Sequence, residues 1–202
     1  MRGFMPDLDG TGEDAQIGQV SFLTSSKGNG KFNKKTVFLD GLALPRALGF
    51  AGGGVLIGAP PHLWFCRDTN ADGKADEKIE IASDFGVAVD PKRPEVANPE
   101  RAPNSLLWGL DNWIYSAAYM ARFRFDGGTW KRDLTTFRGQ WGLSQDELGE
   151  LFYNSNSDQL RYDPIPAYYL TRNPNLSRPI GNNVNAAESQ FVWPARVNPG
   201  IN

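Results

Sequence analysis

The sequence of 202 residues contains one cysteine, Cys66, and one histidine, His62. A single cysteine cannot form an internal disulfide, and this pair cannot supply a structural zinc cluster or a CxxCH haem attachment. With only one histidine, the sequence shows no recognisable arrangement for a catalytic triad of serine, histidine and aspartate. We expect His62, in a proline-flanked turn, to be a surface or strand-edge residue.

Long apolar runs and an excess of basic charge are also absent. The formal net charge is -2, so binding to nucleic acid or to anionic lipid has no electrostatic basis. No apolar stretch is long enough to cross a bilayer, and the opening residues, MRGFMPDLDGTGEDA, lack the apolar core of a signal peptide. We therefore expect no nucleic-acid partner, no membrane span and no signal peptide in this chain.

Helix signals are scarce, whereas strand signals recur along the whole sequence. The composition, 40% hydrophobic and 22% charged, is that of a globular domain, and 22 glycines and 14 prolines provide many turns. Short aromatic or β-branched segments bounded by Gly, Asn or Asp predict strands: TVFLDGL, GGVLIGA, HLWFCRD, NWIYSAA, ARFRFDG and ELFYNSN. The sequence predicts an all-β chain.

Oxygen-bearing side chains alternate around a glycine in the stretch DTNADGKAD. A short loop wraps a hard cation in this way, so we predict a calcium site with these ligands: Asp68, Asn70, Asp72, the carbonyl of Lys74, and Asp76. The twelfth loop position is Ile79 rather than a bidentate glutamate, so affinity would be no tighter than about 10⁻⁴ to 10⁻³ M. The alternative is an Asx-rich hairpin turn that holds no ion.

The loop repeats upstream in a decayed form. When SFLTSSKGNGKFNKKTVF is set beside WFCRDTNADGKADEKIEI, Gly30 aligns with Gly73, an offset of 43 residues. The upstream copy has lost its carboxylates and should not bind calcium. Repeats of roughly 40 to 45 residues are typical of four-stranded propeller blades. A second set of repeated hairpins, starting at Leu48, Trp108 and Trp141, supports a β-propeller, with the longest insertion at 89–103.

The number of repeats falls short of a complete ring. Six blades take roughly 240 residues, so 202 residues predict an incomplete ring of about three to four blades. Open sheet edges must be covered, either by association or by the remaining blades of a longer polypeptide. We favour the remaining blades as the partner.

Three motifs in order carry a resemblance to a known family: DTNADGKAD, APNSLLWGLDNWIYSA and FRGQWGLSQDELGELFYNSNSDQL. The chain resembles the membrane-bound dehydrogenase propellers of planctomycete, verrucomicrobial and acidobacterial genomes. Their propeller is similar to the soluble glucose dehydrogenases that use pyrroloquinoline quinone and calcium. The resemblance divides the chain into an N-terminal segment, 1–16, and a partial glucose dehydrogenase-like propeller, 17–202. It implies a periplasmic or extracytoplasmic location, a sugar or alcohol substrate and a cytochrome c electron acceptor.

The resemblance also implies a cofactor face. Arg138 matches an arginine that reaches into the central channel toward the quinone, and Gln140 lies in the same segment. Asn154, Asn156 and Asp158 match a polar loop that helps to hold calcium near the quinone. Two alternatives stay open: Arg138 pairs with Asp158 or Glu147, or the loop from Asn154 to Asp158 is a self-capped turn.

One departure from the family concerns the catalytic base. Relatives commonly have H-A-P-N where this chain has Arg101, Ala102, Pro103 and Asn104. Arginine stays protonated and cannot serve as a general base, so no catalytic residue is assigned. Two functions remain: a segment of a sugar or alcohol oxidoreductase of the quinoprotein type, or a non-catalytic binding or scaffolding module that has lost the base.

Overall fold

Fourteen strands and one short helix make up the described part of the chain. The computed structural model describes residue 12 and residues 14–86, 102–176 and 180–191. The elements are β1 (Gly18–Thr24), β2 (Lys34–Leu42), β3 (Ala47–Ala51), β4 (Gly54–Ala59), β5 (His62–Arg67), β6 (Glu77–Ala82), β7 (Asn104–Trp108), β8 (Ile114–Ala117), β9 (Ala121–Asp126), β10 (Thr129–Leu134), β11 (Ser144–Gln145), β12 (Leu151–Tyr153), β13 (Arg161–Tyr162), α1 (Ala167–Thr171) and β14 (Val184–Asn185).

The strands form one hairpin and three four-stranded sheets. Strands β1 and β2 pair with each other, and the sheets are β3 to β6, β7 to β10 and β11 to β14. Neighbours in each sheet are consecutive in sequence and antiparallel, so every sheet is a simple meander. Among the described residues no sheet closes into a barrel. The all-β prediction is confirmed, whereas the short helix α1 was not predicted from the sequence.

Tight glycine turns set the register of two of these hairpins. Ala51 pairs with Gly54, so Gly52 and Gly53 form a two-residue loop, and both have positive φ angles, 58° and 73°. Type I′ turns require that conformation at both central positions and match the twist of the strands they join. The Gly127–Gly128 turn between β9 and β10 repeats the arrangement, with φ angles of 57° and 82°.

The sheet β3 to β6 lies between two neighbours. One face packs against the hairpin β1–β2 through a buried cluster of Val20, Phe38, Leu42, Ile57, Ala59 and Cys66. The other face packs against β7 to β10 through Ala47, Leu63, Ala82, Phe85, Tyr119, Ala121 and Phe123. The first strands of the two sheets, β3 and β7, lie side by side. They are so close that a Cβ added at Gly49 of β3 would lie 3.2 Å from Leu106 Cβ of β7. The hairpin β1–β2 and the sheets β3 to β6 and β7 to β10 are thus stacked face to face in chain order.

The repeat found in the sequence is also a repeat of structure. The loops β1–β2 and β5–β6 place positive φ angles at equivalent positions, 62° and 77° at Gly28 and Gly30, and 63° and 87° at Ala71 and Gly73. Two hydrogen bonds of the first loop recur in the second at the 43-residue offset. Ser26 N donates to Asn33 Oδ1 (2.9 Å), as Thr69 N donates to Asp76 Oδ1 (3.0 Å). Lys31 N donates to Asn29 Oδ1 (3.1 Å), as Lys74 N donates to Asp72 Oδ1 (2.8 Å). The two hairpins are therefore equivalent units.

The second set of sequence repeats marks the first two strands of each sheet. Leu48 lies in β3, Trp108 ends β7, and Trp141 lies just before β11. Of the predicted insertion at 89–103, residues 89–101 lie outside the described residues. No helix in the described ranges has the length and apolar character needed to cross a membrane.

Candidate functional site

A buried amide joins the loops that precede β7 and β11. Asn104, 7% exposed, donates from Nδ2 to the carbonyls of Gln140 (2.7 Å) and Ala102 (3.2 Å). Its Oδ1 accepts a hydrogen bond from Gly142 N at 3.1 Å. An asparagine side chain can serve both a carbonyl and an N–H, so one residue fixes the path of the loop in the next sheet.

Three of the predicted cofactor-face residues meet beside this amide. Gln140 N donates to Asn154 O at 2.8 Å, and Asn156 N donates to Gln140 Oε1 at 3.3 Å. Gly139 makes the approach possible, because its φ is 55° and a Cβ there would lie 2.9 Å from Asn154 O. Asn154 and Asn156 are exposed. The loop before β11 and the turn after β12 therefore form one polar surface, here called the amide face: Gln140, Asn154 and Asn156.

Arg138 lies below this surface and is buried. Its Nε donates to Asp163 Oδ2 at 2.6 Å, and the side chains of both residues are 2% exposed. One terminal nitrogen, Nη1, donates to Thr135 Oγ1 (2.8 Å) and to Thr136 O (3.0 Å), and the guanidinium lies 5.2 Å from the centre of the Tyr115 ring. In this arrangement the guanidinium holds the loop before β11 to Asp163, the residue that follows β13.

Asp163 is the centre of that buried network. Its second oxygen accepts hydrogen bonds from Tyr153 Oη (2.7 Å) and Asn183 N (2.9 Å). Burial, followed by the bond to Asp163, raises the pKa of the Tyr153 hydroxyl well above its ordinary value, so the phenol remains a donor. Sequence reasoning missed Asp163, because the only local signal is an aspartate after a two-residue strand.

The ion-pair alternative for Arg138 named different partners. The partner is Asp163, rather than Asp158 or Glu147. Asp158 instead pairs with Arg161 at 3.0 Å, and the Arg161 hydrogen bond lowers the pKa of this carboxyl. Ser155 N donates to Asp158 O and Asp158 N donates to Ser155 Oγ, which is the geometry of a self-capped turn. A role of Arg138 or Asp158 toward a cofactor stays a prediction.

A cleft of about 420 Å³ lies beside the buried pair, between the second and third four-stranded sheets. It is lined by Gly109, Leu110, Asp111, Tyr115, Arg138, Leu148, Gly149, Glu150, Leu151, Asp163, Pro164, Pro166 and Ala167. Most of these residues lie in turns with no shared motif, so the sequence did not indicate the cleft.

Tyr115 forms one wall of the cleft and is tightly held. Its hydroxyl donates to Asp111 Oδ2 at 2.6 Å and accepts from Arg122 Nη1 at 3.1 Å. Burial, with a smaller contribution from the Asp111 hydrogen bond, raises the pKa of Tyr115 to about 12. Arg122 in turn pairs with Asp133 at 2.7 Å. The wall is therefore an ordered chain of polar contacts.

The predicted calcium loop is held by its own side chains. Asp68 accepts from the backbone N–H groups of Asp72 (3.2 Å) and Gly73 (2.7 Å), and Asn70 Oδ1 accepts from Asp72 N (2.9 Å). Asp76 accepts from Thr69 N and Thr69 Oγ1, which lowers the pKa of that carboxyl. Among the described residues no three His, Cys, Asp or Glu side chains are gathered closely enough to hold a metal ion. Calcium binding stays a prediction.

The residues considered for a catalytic base lie apart from these features. Arg101 lies outside the described residues, whereas Ala102, Pro103 and Asn104 follow within them. His62 is the first residue of β5, and its Nδ1 lies 2.6 Å from Glu80 Oε2. The imidazole also lies 4.7 Å from the Trp64 ring, between centroids. The sequence predicted a surface or strand-edge residue in a turn; His62 instead begins β5, between β4 and β6, with its side chain 37% exposed.

Comparison with known proteins identifies a family without an assigned activity. The chain belongs to the family described as "Domain of unknown function (DUF7133)", which matches residues 1–200. No curated protein and no solved structure matches the chain. The family match spans the hairpin β1–β2 and all three four-stranded sheets.

Proposed function

We propose that the chain is a segment of a glucose dehydrogenase-like β-propeller, with the hairpin and the three sheets as consecutive blades. The meander order of every sheet supports this architecture. The approach of β3 to β7 gives further support, because the first strands of propeller blades lie together around the axis. Stacking of β3 to β6 between two neighbours is the arrangement expected of an internal blade.

The proposed activity is that of a sugar or alcohol oxidoreductase segment of the quinoprotein type. The single observation that carries it is the amide face, where Gln140 joins two loops and leaves the amides of Asn154 and Asn156 exposed. Such groups suit the carbonyl and carboxylate oxygens of a quinone or the hydroxyls of a sugar. Pyrroloquinoline quinone would supply the two-electron acceptor, which protein side chains cannot provide.

The residues of the face differ in how well they fit a bound quinone. Asn154 and Asn156 fit, because their side chains are exposed, whereas the half-buried Gln140 positions the turn by accepting a hydrogen bond from Asn156 N. Arg138 supports the face from beneath, since Asp163 and Thr135 already take up two of its nitrogens. We propose that it orients the loop that carries Gln140, while Asp163 compensates its charge.

Calcium is part of the proposal at the loop from Asp68 to Asp76. The hard oxygen donors of this loop suit calcium. The equivalent upstream loop keeps the same shape with Asn29 and Asn33 in place of carboxylates. We infer that the ion stabilises a loop that its own hydrogen bonds already define.

The remaining elements of the proposal rest on the family resemblance. They are a periplasmic or extracytoplasmic location, a cytochrome c acceptor and partnership with the remaining blades of a longer polypeptide.

A second candidate is a non-catalytic binding or scaffolding module. The observation that favours it is the pairing of His62, the only histidine of the chain, with Glu80 at the start of β5. The sequence has Arg101 at the position where relatives carry the base. A module of this kind would keep the amide face for ligand binding and perform no proton abstraction.

Restoring the histidine separates the two candidates. The Arg101→His variant and the parent protein would be supplied with pyrroloquinoline quinone and calcium, and dye reduction would be followed with a panel of aldoses. Activity in the parent supports the oxidoreductase, whereas activity only in the variant supports a non-catalytic module that has lost its base. Quinone binding without dye reduction in either protein supports the binding module. Arg101→Lys is the matched control, because it changes the same position without adding a base.

A further inference from the structure

The hairpin β1–β2 has two strands where each of the other units has four. At the 43-residue offset, β1 is equivalent to β5 and β2 to β6. Strand β5 pairs on its other side with β4, and β4 pairs with β3. Within the described residues β1 pairs only with β2, so the edge that β4 would occupy carries free backbone donors and acceptors.

Two equivalent phenylalanines show what is uncovered at that edge. Phe65 in β5 is 1% exposed and lies in a cluster with Ala51 and Leu56, which come from the hairpin β3–β4. Phe22, at the same position of β1, is 48% exposed. Side chains of the next sheet, Ile114, Phe125 and Trp130, also cover Phe65, and Ala51 and Leu56 are the part of its cover that a β3–β4 hairpin supplies. That part has no equivalent at Phe22 among the described residues.

An apolar groove lies at the same place. Its volume is about 600 Å³, and it runs between the hairpin and the sheet β3 to β6. Phe22, Phe38, Phe50 and Trp108 line it, with the turn Gly52–Gly54. Phe50 is 69% exposed and Trp108 is 50% exposed. Large aromatic side chains grouped in an open groove mark a surface that another element covers.

The described residues that precede β1 form no strand. At the same offset the equivalent of β4 is residues 11–16, TGEDAQ, which lack the apolar pattern of GVLIGA in β4. Residues 12 and 14–17 are described and form no strand, and Ala15 N donates to Gly12 O in a turn. The sequence at the position equivalent to β4 therefore does not predict the strand that would complete this unit.

Pairing with a second copy is disfavoured by the packing of the hairpin. Antiparallel pairing of two β1 strands about a two-fold axis places the same face of both hairpins on the same side. Val20 and Phe38 of each copy already pack on that copy's own sheet β3 to β6. Both sheets would therefore compete for the space that Phe50 faces.

We propose that the β1 edge and this groove receive a β-hairpin from outside the 202-residue sequence, with the alternating apolar pattern of β3–β4. The added strand next to β1 pairs with its free edge, and its apolar side chains cover Phe22 and Phe50. The hairpin completes a fourth four-stranded sheet. The site recognises main chain through edge hydrogen bonds and side chains through the aromatic groove.

Because the hairpins β1–β2 and β5–β6 are related by a constant offset, the proposal can be tested directly in the 202-residue chain. Residues 4–16 are replaced by a copy of residues 47–59, ALGFAGGGVLIGA, which keeps every loop length. The matched control carries the same graft with aspartate at the copied position of Leu56. Hydrogen exchange of the β1 amides, thermal unfolding and sedimentation are measured for the parent and both grafts.

The expected result is a monomeric parent with fast exchange at alternate β1 amides. The apolar graft should slow their exchange at least tenfold and raise the thermal midpoint, and the aspartate graft should do neither. Equal exchange in the two grafts overturns the proposal. Slow exchange in the monomeric parent also overturns it, because another part of this chain would then cover the edge. A parent dimer with protected β1 amides assigns the edge to a second copy and likewise overturns it.

Discussion

Arg138 and Asp163 form a buried ion pair, with Nε and Oδ2 2.6 Å apart and both side chains 2% exposed. The pair links the loop before β11, which carries Gln140 of the amide face, to the residue that follows β13. It therefore holds this loop in position. A buried charge is tolerated when its partner and further hydrogen bonds compensate its lost hydration, which Thr135, Tyr153 and Asn183 do here.

Breaking the pair from one side should be costly. Asp163→Ala leaves the Arg138 guanidinium buried and uncompensated, and we expect a loss of about 3 to 5 kcal/mol in the free energy of unfolding. The double variant Arg138→Met with Asp163→Ala should lose less than the sum of the single variants, because no lone charge remains buried. Urea unfolding followed by far-UV circular dichroism measures both. Asp158→Ala, at the exposed pair with Arg161, is the control and should change little; an equal effect there would contradict the account.

The decrease in the free energy of unfolding at alkaline pH should depend on Tyr115. Burial raises its pKa from 10.0 to about 12, so the folded protein retains a proton that the unfolded chain loses. The stabilising contribution is complete below pH 10 and is lost as the pH rises from 10 toward 12. Between pH 9 and pH 11 the parent should lose about 1 kcal/mol more than Tyr115→Phe. Urea unfolding at both pH values checks this, and parallel losses in the two proteins would mean that Tyr115 is not the responsible group.

The bridging amide of Asn104 should matter more than the exposed amides. Asn104→Ala removes three hydrogen bonds at a buried position and leaves Gly142 N and two carbonyls unpaired, so we expect a loss of about 2 to 4 kcal/mol. Asn156→Ala is the matched control at the surface, with an expected change within about 0.5 kcal/mol. Chemical denaturation compares the two. Similar stabilities would show that Asn104 does not join the loops in solution.

Of the two equivalent loops, only the loop from Asp68 to Asp76 should make the thermal stability depend on calcium. Millimolar calcium should raise the thermal midpoint of the parent, and Asp72→Ala should abolish the rise. Asn29→Ala changes the equivalent position of the upstream loop and should leave the calcium response intact. Differential scanning calorimetry with calcium and with a chelator is the measurement. A midpoint that ignores calcium in the parent would identify the loop as an ion-free Asx-rich turn.

Local features of this chain were predictable and contacts between sheets were not. Segments such as HLWFCRD and TVFLDGL reveal strands because apolar and β-branched residues follow one another between turn residues, and Gly30 aligned with Gly73 reveals an equivalent hairpin. The meeting of Gln140 with Asn154 and Asn156 followed from resemblance alone. Asp163 could not be assigned to Arg138, since their contact depends on how the loop before β11 passes β13. The short helix α1 carries no side-chain cap, so it has no start signal in the sequence.

The most direct test of the proposed function is the binding of pyrroloquinoline quinone, measured by equilibrium dialysis in the presence of calcium. The account predicts saturable binding to the parent chain, weakened about tenfold or more by Gln140→Ala, which removes one hydrogen-bonding group from the amide face. Leu148→Ala, at an exposed position of the neighbouring cleft, should leave the affinity unchanged. No saturable binding to the parent, or the same affinity in Gln140→Ala, would contradict the account.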